Sequence, residues 1–413
     1  MNQTLRDHAE QIARGAIRAV CPDEAVRRAL GNVTLTGRVY LVAAGKAAWQ
    51  MAAAAVNALP VSLTRGIVVT KYDHVMGPLP SIECFEAGHP VPDENSYRGT
   101  QAVLDMTEHL DPEDTVLFLL SGGGSALFEK PLVAPERLEA ITRTMLAGGA
   151  DIVQINSLRK RLSAVKGGRF ALWCQPARVE SIILSDILGD PVDMIASGPA
   201  AADPVTADQA QAIAAKYGVD RDPQVKELLA VETPKEVPNV HTQVIGSVRE
   251  LCLAAEREAR ALGYEPVFLT DRLDCEASDA GRMLAGKVAE AAAERRKLAF
   301  LAGGETVVHL KGTGLGGRNQ ELALSAAERL AGISGTALIS VGSDGTDGPT
   351  DAAGGYVDSD TLADLARAGV DYRAMLANND SYHALKAIGN LVITGPTGTN
   401  VNDVAIGLVN PET

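Results

Sequence analysis

Aromatic side chains are scarce in this chain, 4% of 413 residues. Proteins that hold single-stranded nucleic acid do so largely by stacking bases on aromatic rings, so that class is a poor fit. Positive charge is short as well: 38 Lys and Arg stand against 52 Asp and Glu, a formal net charge of −14. The basic footprint that a duplex or an anionic membrane surface calls for is missing. No stretch approaches the roughly 18 uninterrupted apolar residues of a membrane-spanning helix. The five cysteines (Cys21, Cys84, Cys174, Cys252, Cys275) are odd in number, scattered, and include no Cys-x-x-Cys pair, which argues against a disulfide framework. Arg6, Asp7, Glu10 and Arg14 interrupt the first residues, so these read as an amphipathic helix without the apolar core of a signal peptide. The expectation is a cytoplasmic, metabolite-facing protein with no nucleic-acid or membrane partner.

Several catalytic signatures are missing too. There is no G-x-x-x-x-G-K-[ST] loop, no H-R-D or D-F-G, and no H-E-x-x-H. P-loop nucleotidases, protein kinases and common zinc hydrolases are thereby set aside.

What is present is loop chemistry on an α/β frame. Hydrophobic residues make 46% of the chain and charged residues 22%, with 40 Gly and 20 Pro. This is enough to bury a full core in two or three domains. Short apolar runs (Val39–Ala44, Gly66–Thr70, Thr115–Leu120, Val179–Leu184) alternate with helical patterns at Lys46–Leu59, Ser96–Leu110 and Pro135–Ala147. The alternation restarts after the proline-containing stretch Val231–Val240, with strands predicted at Pro266–Thr270, Leu298–Ala302, Thr306–Leu310, Ala337–Val341, Leu391–Thr394 and Val404–Leu408. The fold class is therefore α/β: two α/β domains, 1–235 and 236–413, with mainly parallel sheets under helices.

In such sheets ligands bind beyond the carboxyl ends of strands, so the loops there carry the functional candidates. Lys46 follows a strand and Gly45 and opens a helix, where it adds a point charge to an anion-favouring helix start. Ser121, Gly122, Gly123, Gly124 and Ser125 form a loop whose backbone N–H groups and hydroxyls suit a phosphate or carboxylate. No acid occurs between Asp151 and Glu180, yet Arg159, Lys160, Arg161, Lys166, Arg169 and Arg178 do. Two readings stay open there: basic side chains favoured by a helix C-terminus, or a cradle for a polyanion. Asp186 and Asp190 follow a strand and suit a divalent metal or a proton-accepting role, although Asp-Gly turns are ordinary loops. The segment Gly312–Gly317 satisfies G-x-G-x-x-G, and Arg318 and Asn319 come directly after it. Alone that match is weak; Asp344, the nearest acid at the end of the next strand, lies farther on than the roughly 20 residues usual for a ribose-binding acid. Asp344, Asp347 and Asp351 crowd one loop that suits Mg²⁺. A last Gly- and Thr-rich loop runs from Thr394 to Asp403.

Taken together, AAGKAAW, GHPVPDENS, LLSGGGSALFEKP, NSLRKRLSAVKGG, LSDILGDPVDMIASGP, GGETVVHLKGTGLGGRNQELAL, SVGSDGTDGPTDAAGG and NNDSYHAL resemble the glycerate 2-kinases of the two-domain MOFRL type, from about residue 5 to residue 409. Some members of that family carry the name hydroxypyruvate reductase. The resemblance implies ATP-dependent phosphorylation of D-glycerate to 2-phosphoglycerate with Mg²⁺, a Rossmann-like N-terminal domain, and an active site in the interdomain cleft. It implies Lys46 and Arg318 as the catalytic pair. Asp186 is expected as the base, with Asp190, Asp344 and Asp347 as metal candidates. Ser121–Ser125, Arg159, Lys166 and Asn319 are expected around substrate and phosphate. The oligomeric state is left open, a homodimer included. An NAD(P)H-dependent reductase, using Gly312–Gly317 as a dinucleotide loop, is the alternative.

Overall fold

The computed structural model describes residues 2–185, 187 and 189–412. The chain forms two compact units. The first comprises Pro22–Ser185 and Asp190–Ile245; the second comprises the segment ending at Cys21, the residues around Ile187 and Gly189, and the chain from Gly246 onward.

The first unit is built on β1 (Val39–Ala44), β2 (Arg65–Lys71), β3 (Ile82–Ala87), β4 (Thr115–Ser121), β5 (Arg178–Leu184) and β6 (Val240–Gly246). Their order is β3-β2-β1-β4-β5-β6, and β1 to β5 pair in parallel. Every residue of β1 (VYLVAA) and β4 (TVLFLLS) is buried. Central strands covered by helices on both faces require such unbroken apolar runs. Phe118 of β4 meets Phe128 and Phe170 at centroid distances of 5.7 and 5.0 Å. Strand order reverses between β1 and β4, the switch point at which doubly wound sheets of the 3-2-1-4-5-6 order open a ligand crevice. Four helices, Pro135–Ala147, Ile152–Arg161, Ala207–Tyr217 and Pro223–Ala230, share a separate small core of Leu138, Ile141, Met145, Ile155, Leu158 and Leu229.

The second unit contains β7 (Glu265–Leu273), β8 (Leu298–Gly304), β9 (Thr336–Gly342), β10 (Gly354–Asp358), β11 (Leu391–Val392) and β12 (Asp403–Val409), in the order β11-β10-β9-β12-β8-β7. The α/β expectation holds in both units. Strand direction is uniform across β1–β5 but mixed in the second sheet. There β7, β8, β9 and β11 run one way, while β10 and β12 run against them. The link from β9 to β10 contains no helix, and parallel pairing needs a long crossover; the chain simply turns back. The expected strand at Thr306–Leu310 is absent: Val307 makes one isolated bridge to Glu276, and Leu310 is 79% exposed.

The unit boundaries also differ from a split near residue 235. The stretch read as a linker is stitched into the first unit: Thr233 donates to Asp203, Asp203 N donates to Pro234 O, and Lys235 donates to the carbonyls of Asp203 and Val205. Strand β6 then completes the first sheet. Helix Gln3–Ala19 buries Leu5, Ala9, Ile12, Ala13, Ala16 and Ile17 against helix Val248–Ala261 and strands β9 and β12, so the N-terminal helix belongs to the second unit. Among the described residues no helix is long and apolar enough to cross a membrane.

Candidate active site

In the first unit the loops after β1 and β4 are locked together. Gly45 has φ +126°, and a Cβ there would lie 2.2 Å from Ser121 Oγ; only glycine permits this approach. Lys46 N donates to Gly122 O at 2.8 Å, and Ala47 N donates to Ser121 Oγ at 3.0 Å. The Ser121 hydroxyl, buried, thus serves one of the open N–H groups at the start of helix Ala48–Ala58. Thr70 Oγ1 donates to Gly45 O, and His74 Nδ1 lies 2.9 Å from Lys46 O. The half-buried Lys46 side chain runs past Gly123, whose Cα also faces the His89 ring. Gly124 and Ser125 begin a single helical turn, Gly124–Leu127, with Gly123 at φ +86° before it. Its first N–H groups have no partner inside the turn.

Three cations of the basic segment, Lys160, Arg161 and Lys166, are buried. Lys160 Nζ donates to Asp193 and Asp203 at 2.9 and 3.1 Å, and Arg161 is shared by Asp203, Glu232 and Val205 O. Arg169 donates to the carbonyls of Arg161 and Ser163. Of the two open readings, the polyanion cradle is not what these side chains form. Lys166 is a correction in particular: it is fully buried, and Nζ donates to Ser125 O at 2.9 Å and Phe128 O at 3.0 Å. Burial pulls its pKa down to about 8, against the opposing pull of Glu129. Arg159 donates to the same Ser125 carbonyl at 2.9 Å and lies 3.7 Å from Glu129. Both cations hold the glycine loop in place, and Lys166 Nζ also lies 3.6 Å from the buried Glu129 carboxylate.

The second constellation sits where β12 inserts between β8 and β9. Asp403, first residue of β12, pairs in register with Gly304 and Gly342, the last residues of β8 and β9. Arg318 opens helix Arg318–Leu330 and grips Asp403 with both arms: Nε to Oδ2 at 2.6 Å and Nη2 to Oδ1 at 3.1 Å. Its Nη1 donates to Glu305 Oε1 at 2.9 Å. Burial opposes the guanidinium charge, but Asp403 and Glu305 outweigh it and raise its pKa. Burial drives Asp403 the other way, pushing its pKa up to about 6 although Arg318 and Asn319 hold it down. Asn319 is buried, with its backbone N donating to Asp347 Oδ1 at 3.1 Å while its Oδ1 accepts from Ser340 at 2.6 Å.

Comparison with known proteins gives a consistent result over this whole frame. A family described as a domain of unknown function, DUF4147, matches residues 8–230, and the MOFRL family matches residues 298–403. The D-glycerate 2-kinase of Thermotoga maritima is 51% identical, covering 98% of this chain and 99% of its own length. The chain belongs to the MOFRL-type glycerate 2-kinase family. The crystal structure of the T. maritima glycerate kinase superposes with a TM-score of 0.93, covering 99% of this chain and 100% of that one. A relative from Agrobacterium vitis, 42% identical over 90% of this chain and 87% of its own, bears the name putative hydroxypyruvate reductase.

Within this glycerate 2-kinase family member, the G-x-G-x-x-G loop is occupied by its own protein. Lys311 N and Gly312 N donate to Asn379 Oδ1, Thr313 N to Asn378 Oδ1, Gly314 N to Asn378 O, and Leu315 N to Asp380 Oδ1. A Cβ at Gly317 would strike the Asp347 carboxylate. These glycines permit loop packing, and the N–H groups from Lys311 to Leu315 are already taken up.

The metal candidates divide. Both oxygens of buried Asp347 accept bonds at the start of helix Arg318–Leu330, from Asn319 N, Gln320 N and Gln320 Nε2. This carboxylate anchors a helix and does not fit an open metal ligand. Half-buried Asp344 accepts from Thr346 N through Oδ1. Asp190, also half-buried, follows Gly189 with φ +53°. Asp186 lies outside the described residues. Among the described residues no three His, Cys, Asp or Glu side chains form a metal-sized group. Residues missed from the sequence are Asp403 and Glu305, which hold Arg318; the loop histidines His89 and His74 flank Lys46.

Proposed function

We propose that this chain catalyses phosphoryl transfer from ATP to the 2-hydroxyl of D-glycerate, giving 2-phosphoglycerate. The observation that carries the reading is the end-to-end match to the T. maritima D-glycerate 2-kinase at 51% identity. The site chemistry supports it. Phosphoryl transfer depends on positioning and on neutralising charge rather than on covalent chemistry by the protein. Lys46 supplies a point charge at a strand end beside the glycine loop. Arg318 supplies a planar fork whose orientation Asp403 and Glu305 fix in advance. Gly122, Gly123 and Gly124 offer backbone donors to the substrate carboxylate. Asp186 takes the proton of the attacking hydroxyl.

Mg²⁺ is held mostly by substrate phosphates, its own waters and one or two carboxylates, so Asp344 or Asp190 at a strand end fits such a role without a preformed cage. Bound with the nucleotide, the ion neutralises charge on the transferring phosphate. A dinucleotide-dependent reductase is disfavoured by the closed backbone of Gly312–Gly317.

Thermal unfolding in the presence of either nucleotide tests the proposal. Saturating ATP–Mg²⁺, at about 100 times Kd, is expected to add about 2.7 kcal/mol and raise Tm, whereas NADH leaves it unchanged. Stabilisation by NADH alone would reverse the assignment.

A further inference from the structure

Ser125 sits in the glycine loop with its backbone held on both sides. Its carbonyl accepts from Arg159 and from Lys166, each at 2.9 Å. Its hydroxyl lies 3.1 Å from Ser197 Oγ, and Ser197 Oγ donates onward to Asn156 Oδ1 at 3.1 Å. Ser197 and Asn156 are buried. The three residues form a short chain of hydrogen bonds with a fixed direction.

The direction follows from donor counting. A hydroxyl has one proton and two lone pairs, and the oxygen of an amide only accepts. The Ser197 proton goes to Asn156 Oδ1, so none remains for Ser125. The proton between the two serines must come from Ser125. Its oxygen then has no proton left for a ligand and can offer only lone pairs. A group in that state repels phosphate and carboxylate oxygens and attracts a donor.

The backbone under Ser197 shows that this arrangement is maintained against a cost. Ala196 and Ser197 hold φ of +51° and +62°, a region costing a non-glycine residue about 1–3 kcal/mol and found mainly at functional sites. The turn is pinned from both sides. Ser197 N donates to Met194 O, Gly167 N to Ser197 O, and Gly168 N to Gly198 O. These bonds place the Ser197 hydroxyl between Asn156 and the glycine loop.

We propose that Asn156 and Ser197 are positioning residues that fix the Ser125 hydroxyl as an acceptor, so that it selects a hydroxyl of the alcohol substrate and not a phosphate of the nucleotide. The proposal rests on the kinase reading and sharpens it. Within one loop, backbone N–H groups take the anionic end of glycerate and Ser125 takes a hydroxyl.

The test is steady-state kinetics on the full-length protein with D-glycerate and ATP–Mg²⁺, for Ser125→Ala, Ser197→Gly and the double variant. Glycine accepts the left-handed backbone at 197 without strain, which keeps that variant folded. Ser125→Ala is expected to raise KM for D-glycerate about three- to tenfold, as for one neutral hydrogen bond, with KM for ATP unmoved. Ser197→Gly is expected to shift the same constant less. The double variant should match Ser125→Ala, because Ser197 acts through Ser125. A rise in KM for ATP instead, effects that multiply in the double variant, or no change in any constant would each overturn the proposal. If Ser197→Gly does not fold, the split between the two KM values in Ser125→Ala decides alone. Absence of wild-type turnover would sink the kinase reading rather than the polarity argument.

Discussion

Replacing Arg318 with lysine preserves charge and removes geometry, so it isolates what the fork contributes. Arg318 makes two bonds to opposite oxygens of Asp403, at 2.6 and 3.1 Å, and a third to Glu305 at 2.9 Å. A lysine ammonium is a single point on a flexible stem and cannot hold both Asp403 oxygens and Glu305 together. One charge-assisted bond is worth about 1.5–3 kcal/mol. If the guanidinium is aimed at the transferring phosphate by these contacts, the loss falls on the transition state. At about 1.36 kcal/mol per tenfold, kcat is expected to drop about 10- to 150-fold, with both KM values nearly constant. Arg318→Ala, which removes the charge as well, is expected to lose about 10³-fold or more, on the scale of arginine fingers. The assay is ADP release with D-glycerate and ATP–Mg²⁺. A lysine variant with kcat within threefold of the parent would refute the claim that orientation of the guanidinium matters.

Other expectations follow from single contacts. Asp403 titrates near pH 6 in the folded protein, above its ordinary range because of burial. Activity that depends on its carboxylate falls as pH drops through about 6, and a pH–rate profile of Asp403→Asn should lack that limb and sit low throughout. Lys166→Met leaves buried Glu129 without one of its two cations, and removing one partner of a buried pair costs about 3–5 kcal/mol, readable by urea unfolding. The wild-type protein should also gain stability relative to that variant between pH 8 and the ordinary lysine range. The folded lysine sheds its proton near 8 while the unfolded one keeps it, so the unfolded state binds more protons across that window. Asp347→Ala strips four acceptor contacts from the start of helix Arg318–Leu330. Loss of a helix N-terminal acceptor costs about 0.5–2 kcal/mol, so Tm should fall, and kcat with it because Arg318 opens that helix.

The sheets and the loops at their ends were legible because buried parallel strands announce themselves. Thr115–Leu120 is an unbroken apolar run followed by three glycines, and Lys46 and Arg318 both stand at such strand-to-helix passages. Strand β3, IECFEA, escaped notice because an edge strand tolerates Glu83 and Glu86. Helix Ile152–Arg161 stops short of Lys166, since the residues beyond turn to cover the glycine loop. Partners distant in sequence were invisible. Arg161 meets Asp203 and Glu232, 42 and 71 positions away, so the segment's own residues could not decide between a helix C-terminus and a polyanion cradle. Asp403 is the sharpest case. It touches Arg318 only because β12 enters the sheet antiparallel between β8 and β9, and nothing local to TNVNDV encodes that insertion. The glycines of Gly312–Gly317 were visible, but their reason, packing against Asn378–Ser381, was not.

The most direct test of the account is to identify the product. Purified protein is incubated with D-glycerate, ATP and Mg²⁺, and the reaction is followed by ³¹P NMR. The account predicts a new phosphomonoester on the secondary carbon, appearing as ADP forms and failing to appear in Arg318→Ala. Unchanged ATP, with NADH consumed in a parallel incubation with hydroxypyruvate, would contradict it.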